Sequence, residues 1–151
     1  MTSENTKASS LIEMITQLPK DENNIPRKKA FNPMALPKLL PYYLLGHMQA
    51  YGSVIVKVSG EKLNDVYNRS LSGLDIFDIM SPKEKDFVAK IHKLMFEHPC
   101  GVYTNRSLEK ETGMVITLAT YAFPMVSDDG NEKYFLMYYE DLSATTESND
   151  L

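Results

Sequence analysis

The chain contains no tryptophan and a single cysteine, Cys100. One thiol excludes an internal disulfide, and a reducing compartment fits that. Excess positive charge is missing too. The net charge is −4, which argues against a nucleic-acid binder led by bulk charge. The amino-terminal MTSENTKASS has no apolar core of signal-peptide length. A long uncharged stretch, Thr112–Ser127, is interrupted by Gly113 and Pro124. It falls short of the roughly 18–20 apolar residues that span a bilayer. No G-x-S-x-G elbow and no H-E-x-x-H pair occurs. His98-Pro99-Cys100 brings an imidazole close to the thiol, but Pro99 and a helix end make these adjacent loop residues. These absences point to a cytoplasmic protein with no membrane span and no nucleic-acid partner, and they offer no catalytic or metal site.

What is present is ordinary globular material. The 151 residues are 43% apolar and 24% charged, enough for one domain with its own core. The acidity is uneven. Four of the 20 acidic residues, Glu140, Asp141, Glu147 and Asp150, lie beyond position 139, where no Lys or Arg occurs, so positions 1–139 balance at 16 and 16. Residues 144–151 read as a solvated acidic tail.

Periodicity divides the rest. Residues 1–9 carry no pattern. Ser10 and Glu13 have capping-box spacing, and Leu11, Ile12, Ile15 and Leu18 form one apolar stripe on a short helix that Pro19 ends. Residues 19–30 read as a polar linker, with Arg27, Lys28 and Lys29 as solvated charge. Asn32 and Pro33 predict a helix start, and Pro41 its stop. Strands follow over Tyr42–Met48 and Ser53–Val58 as a hairpin. Short helical pieces fit Glu61–Tyr67 and Leu74–Met80. Ser81, Pro82 and Glu84 open a longer helix with Phe87, Val88, Ile91, Leu94 and Met95 on its apolar face. That phase makes His92 a partly exposed structural residue. Three strands close the chain, over Gly101–Leu108, Val115–Val126 and Tyr134–Tyr139. In the last, Leu136 and Tyr138 share one face and Phe135, Met137 and Tyr139 the other. Both faces are apolar, so both must be covered.

Two strands, a helical crossover and a three-strand meander imply an α+β fold: a five-stranded antiparallel sheet with helices on one face, plus the amino-terminal helix. A hollow should lie between sheet and helices.

This order resembles that of a PAS domain. Pro26-Arg27, then Phe31-Asn32-Pro33, then Leu39-Leu40-Pro41 resemble the opening of a short bacterial PAS type, the fifth PAS family. Val56-Lys57-Val58-Ser59-Gly60 and Asn68-Arg69-Ser70-Leu71-Ser72-Gly73 resemble its strand-end and turn motifs. Glu140-Asp141-Leu142-Ser143 looks like the signature that closes many PAS domains. Lys57 stands where that family usually has Arg, and Asn68 where it usually has Gly.

The resemblance divides the chain into residues 1–25 (tail and helix), a PAS-like domain over 26–143, and the acidic tail. It implies a sensory or regulatory protein rather than an enzyme, acting in signal transduction through signalling-protein partners, with a small-molecule ligand in the hollow as its gate. The eight residues after Ser143 hold no output domain, which puts the effect on another chain. Arg69, Tyr103, Arg106 and Tyr138 are the polar groups expected to face the hollow and bind the ligand. Leu11, Ile12, Ile15 and Leu18 are expected to lie on the outer sheet face and build a homodimer. No cofactor is identified, and the Asn-Cys-Arg-Phe-Leu-Gln motif of flavin photosensors is missing. Two other classes stay open. One is a small α+β pocket enzyme of the isomerase or hydrolase kind, needing a carboxylate or histidine in the hollow with a shifted pKa. The other is a haem sensor with His92 as ligand.

Overall fold

The structure, a computed structural model, describes residues 6–110 and 112–142. Among these residues, three α-helices, α1 (Thr6–Thr16), α2 (Glu61–Tyr67) and α3 (Pro82–Glu97), accompany five strands. The strands are β1 (Tyr43–Ala50), β2 (Ser53–Ser59), β3 (Val102–Glu109), β4 (Val115–Val126) and β5 (Lys133–Asp141). They form one antiparallel sheet in the order β2-β1-β5-β4-β3. The expected α+β architecture is present, and β4 and α2 have the bounds their sequences predict.

Local chemistry explains most boundaries. Ser81 Oγ accepts from Glu84 N–H at 3.2 Å and caps α3, with Pro82 behind it. The second half of the expected capping box does not form, because the Glu84 carboxylate turns to Arg106 instead. Asn32 caps as predicted, accepting from Met34 N–H at 3.0 Å. Its helix, however, is broken into 3₁₀ turns over Pro33–Ala35 and Pro37–Tyr42, as three prolines in nine residues dictate. Asn68 ends α2 at φ +56, the left-handed conformation that suits glycine and that asparagine tolerates. Asp75 ties the next loop to β2, accepting from Val54 N–H, Phe77 N–H and the Ser53 hydroxyl.

Residues 19–30 are not a free linker. Asp21 Oδ1 accepts from Asn23 and Ile25 N–H, Ile25 is buried, and Val126 N–H donates to Pro26 C=O. Arg27 and Lys29 reach Asp128, and Lys28 lies over the Tyr134 ring. The apolar residue inside the polar run draws the segment onto the sheet.

The sheet buries both faces. Its inner face, with Leu44, Val54, Val56, Leu118, Phe135 and Met137, packs under α2 and α3. Its outer face carries Tyr43, Phe123, Met125, Leu136 and Tyr138 beneath Ala8, Leu11 and Ile15 of α1. α1 is already helical at Thr6, so Ser10 lies inside the helix and is not its cap. The apolar stripe therefore starts a turn earlier, at Ala8. Leu11 is fully buried, while Ile12 is 43% exposed. Leu11→Ala should lower the stability measured by urea unfolding by about 2–4 kcal/mol. Ile12→Ala should change it by less than about 1 kcal/mol.

Candidate functional site

The hollow lies between α3 and the inner faces of β3, β4 and β5. It measures about 240 Å³ and is bordered by Ile76, Met80, Glu84, Val88, His92 and Met95 on one side. Val102, Arg106, Thr120, Ala122, Met137 and Tyr139 border it on the other. Cross-strand pairing sets this wall. Thr104 faces Thr120, Thr120 faces Tyr139, and Ala122 faces Met137, so side chains at these positions share one face.

His92 sits at one end, only 3% exposed. Its ring stacks on Phe135 at 4.0 Å between centroids and meets Phe77 edge-on at 5.7 Å. Burial between two rings pushes its pKa down to about 4. The partly exposed position expected from sequence is wrong by a rotation of the helix. Phe87 and Leu94 are exposed, and His92, Met95 and Phe96 are buried. A stripe drawn through apolar residues alone passes over a histidine, although Val88 and Phe96 stand four residues to either side.

Arg106 sits at the other end. Its Nη2 lies 3.2 Å from Glu84 Oε2 and 3.3 Å from Oε1. Among the described residues this is the one ion pair joining α3 to the sheet. Tyr67 lies beside it. Burial raises the Tyr67 pKa, partly offset by the Arg106 charge. Tyr139 is raised by burial as well, and its hydroxyl donates to Met137 Sδ at 3.4 Å. Sulfur is a weak acceptor.

Three buried polar atoms around this hollow have no hydrogen-bond partner: His92 Nδ1, Arg106 Nε and Thr120 Oγ1. A buried donor or acceptor left unpaired costs about 1–3 kcal/mol, and native proteins rarely tolerate it without a reason. The fourth such atom among the described residues, Tyr43 Oη, lies on the outer face, where burial pushes its pKa up to about 12. The hollow is thus mostly apolar, with His92 towards one end and Thr104, Thr120 and Arg106 towards the other, which suits recognition by hydrogen bonds.

Of the four residues expected to face the hollow, Arg106 does. Tyr103 and Tyr138 do not: both lie on the outer face, in one row with Tyr43 and Tyr121 across four strands. Adjacent rings along this row are 6.1, 5.9 and 4.8 Å apart. In β5 the inward tyrosine is Tyr139, one residue on from Tyr138, because alternation reverses the face at each step. Arg69 is exposed in the loop after α2 and does not border the hollow. Lys57 is exposed at the irregular end of the β1–β2 pairing, away from the hollow. Cys100 is exposed beside Tyr103 and Ile12 in a groove of about 370 Å³ on the α1 side. A haem, several times larger than the hollow, does not fit within it. Leu11 and Ile15 are committed to their own sheet, Leu18 is half-buried against it, and only Ile12 projects. Glu140 and Asp141 of the closing motif lie in β5, whereas Ser143 and the acidic tail lie outside the described residues.

An antiparallel sheet in this order, with helices over a hollow on one face, defines an α+β architecture. The sequence profile of the PAS domain family matches residues 6–139, and the chain belongs to that family. PAS domains are typically sensory signal-transduction modules rather than enzymes, and they commonly mediate protein interactions and dimerisation. Solved structures agree in fold. A PAS domain from Colwellia psychrerythraea is 11% identical, with 72% of this chain and 94% of that one covered at a TM-score of 0.54. The PAS domain of Bordetella pertussis BvgS is 10% identical, with coverage of 99% and 100% and a TM-score of 0.51. A light-oxygen-voltage domain studied with a flavin analogue is 11% identical, with coverage of 78% and 94% and a TM-score of 0.54. No curated protein matches the chain. Among the described residues, no helix is long and apolar enough to cross a membrane.

Replacing His92 by Phe removes the unpaired nitrogen and keeps the ring stack. Stability at pH 7 should rise by about 1–2 kcal/mol. Below the unfolded value near 6.5 the unfolded chain takes up a proton that native His92 refuses down to about 4. Wild-type stability should therefore fall through that window by up to about 1.4 kcal/mol per pH unit as pH drops. His92→Phe should lose that part of the slope in urea unfolding measured from pH 7 to pH 4.

Proposed function

We propose that this chain is a cytoplasmic PAS sensory module that regulates signalling proteins by contact, with a small molecule in the hollow as its gate. The observation that carries this reading is the set of three unpaired, buried polar atoms, His92 Nδ1, Arg106 Nε and Thr120 Oγ1, around one apolar space. Such atoms are what a bound molecule satisfies. Gating follows from the layering. The sheet is one strand thick, and β5 sends Met137 and Tyr139 into the hollow and Leu136 and Tyr138 under α1. A ligand that favours one packing of α3 against β3 shifts the population of outer-face arrangements. Residues 6–25 then act as the cover of the outer face rather than as a separate unit.

The output surface in this reading is the α1 side. Ile12, at 43% exposure, and Tyr103, at 52%, border the same groove. A second copy docks there, with Ile12 as the free part of the stripe whose Leu11 and Ile15 are already buried.

Two measurements test the reading. Small molecules released from the protein purified from its native cells should include one missing from Ala122→Leu and Val102→Phe, which fill the hollow. Identical extracts from all three would sink the gate. Light scattering should give twice the chain mass for wild type and the single mass for Ile12→Glu. A monomeric wild type would sink the dimer.

A further inference from the structure

The ligand's chemistry can be read from the walls of the hollow, given the gated reading above. Its volume is about 240 Å³. An apolar cavity of about 150 Å³ holds one benzene, six carbon atoms, so this one holds about ten non-hydrogen atoms.

The shape is elongated. Glu84, at the Arg106 end, and His92 are eight residues apart on α3, about 12 Å along the helix. The sheet gives the same span independently. His92 stacks over Phe135, and Thr120 is paired with Tyr139. Four residues of strand separate Phe135 from Tyr139, about 14 Å. Between these ends the walls are mostly apolar, with Val88, Ile91, Ala122 and Met137, and Thr104 stands beside Thr120.

The charge is already balanced. Arg106 is the sole cationic side chain bordering the hollow, and Glu84 holds its guanidinium. An ionised ligand would leave water for a space where no countercharge is free, which is unfavourable.

The hydrogen-bond sense at each end is also set. Arg106 Nε–H can only donate, the Thr120 hydroxyl is unpaired, and the Tyr139 hydroxyl has only a sulfur partner. Two unpaired groups at this end, Arg106 Nε–H and the Thr120 hydroxyl, can both donate and call for an acceptor with two lone pairs. At the other end His92 Nδ1, unpaired between Phe77 and Phe135, suits a hydroxyl, which can serve either tautomer.

We propose that the hollow binds an uncharged, elongated, mostly apolar molecule of about ten non-hydrogen atoms, with a carbonyl-type acceptor at the Arg106–Thr120 end and a hydroxyl at the His92 end. The Glu84–Arg106 pair is its charge filter, and it selects against carboxylates of the same shape.

Calorimetric titration of the full chain with octanamide and octanoate tests this. The two share shape and size and differ in charge. Wild type should bind octanamide at least about tenfold more tightly than octanoate at pH 7.5. Glu84→Gln should erase or invert that preference, because Arg106 then lacks its partner. Arg106→Gln should weaken octanamide at least about fivefold. At the other end, 1,8-octanediol should bind more tightly than 1-octanol in wild type and equally in His92→Phe. Octanoate binding as well as octanamide, or a ratio untouched by Glu84→Gln, overturns the neutral-ligand inference and leaves the gated reading standing. No binding by any of the four probes overturns the inference too. Joined to identical native extracts from wild type and the filled variants, it ends the gated reading as well.

Discussion

A sheet that is apolar on both faces must be covered twice, and the rest of this molecule follows from that. β4 and β5 alternate without ever turning a polar face to water. Leu118, Met137 and Phe135 point one way, and Phe123, Met125, Leu136 and Tyr138 the other. α3 and α2 cover the first set. The second set would be an exposed apolar slab were it not for α1, whose Leu11 and Ile15 disappear into it. α1 is too short to hold its shape alone in water, so helix and slab stabilise each other.

The two covers are not equivalent. The outer one closes over rings that meet edge to face, and the Tyr138 hydroxyl reaches Glu140 at 3.1 Å. The inner one leaves a hollow with unpaired polar atoms at both ends. Glu84 shows how the two requirements of a site, structure and recognition, can compete for one side chain. Its backbone N–H serves the helix cap, but its carboxylate abandons the reciprocal capping bond for Arg106. That exchange fastens the first turn of α3 to β3 and sets the electrical character of the hollow in one contact.

Much of this is legible in the sequence. Alternation in β5 showed both faces apolar, the capping residues marked α3, and the run of hairpin, crossover and meander implied one antiparallel sheet. What could not be read was the face each strand turns inward, and the site residues depended on it. Choosing Tyr138 together with Arg106 mixed the two faces. The pairing of Thr120 with Tyr139 and of Leu118 with Arg106 places Arg106 inward and Tyr138 outward. Parity along one strand is visible in sequence, but the relative parity of two strands depends on register and therefore on the loops between them. His92 was missed for a different reason. Hydrophobic phase finds the apolar members of a buried face and leaves out a polar one, which is where recognition chemistry sits. Ile25 shows the same blindness in reverse, a lone apolar residue in a polar stretch that nevertheless draws its whole loop onto the body.

The strand order also bears on how the protein is made. β1 begins at Tyr43 and β5 ends at Asp141, yet they lie side by side at the centre of the sheet. A ribosome delivers the β1–β2 hairpin long before β5, the common neighbour of β1 and β4, which follows β4 after a turn of six residues. Until then β1 and β4 each carry an open edge and uncovered apolar surface, a state in which chains pair wrongly with one another. The central pairing is non-local and slow to close. During translation, shielding of those edges falls to whatever meets the nascent chain first, and the earliest candidate is the amino-terminal helix that precedes them both.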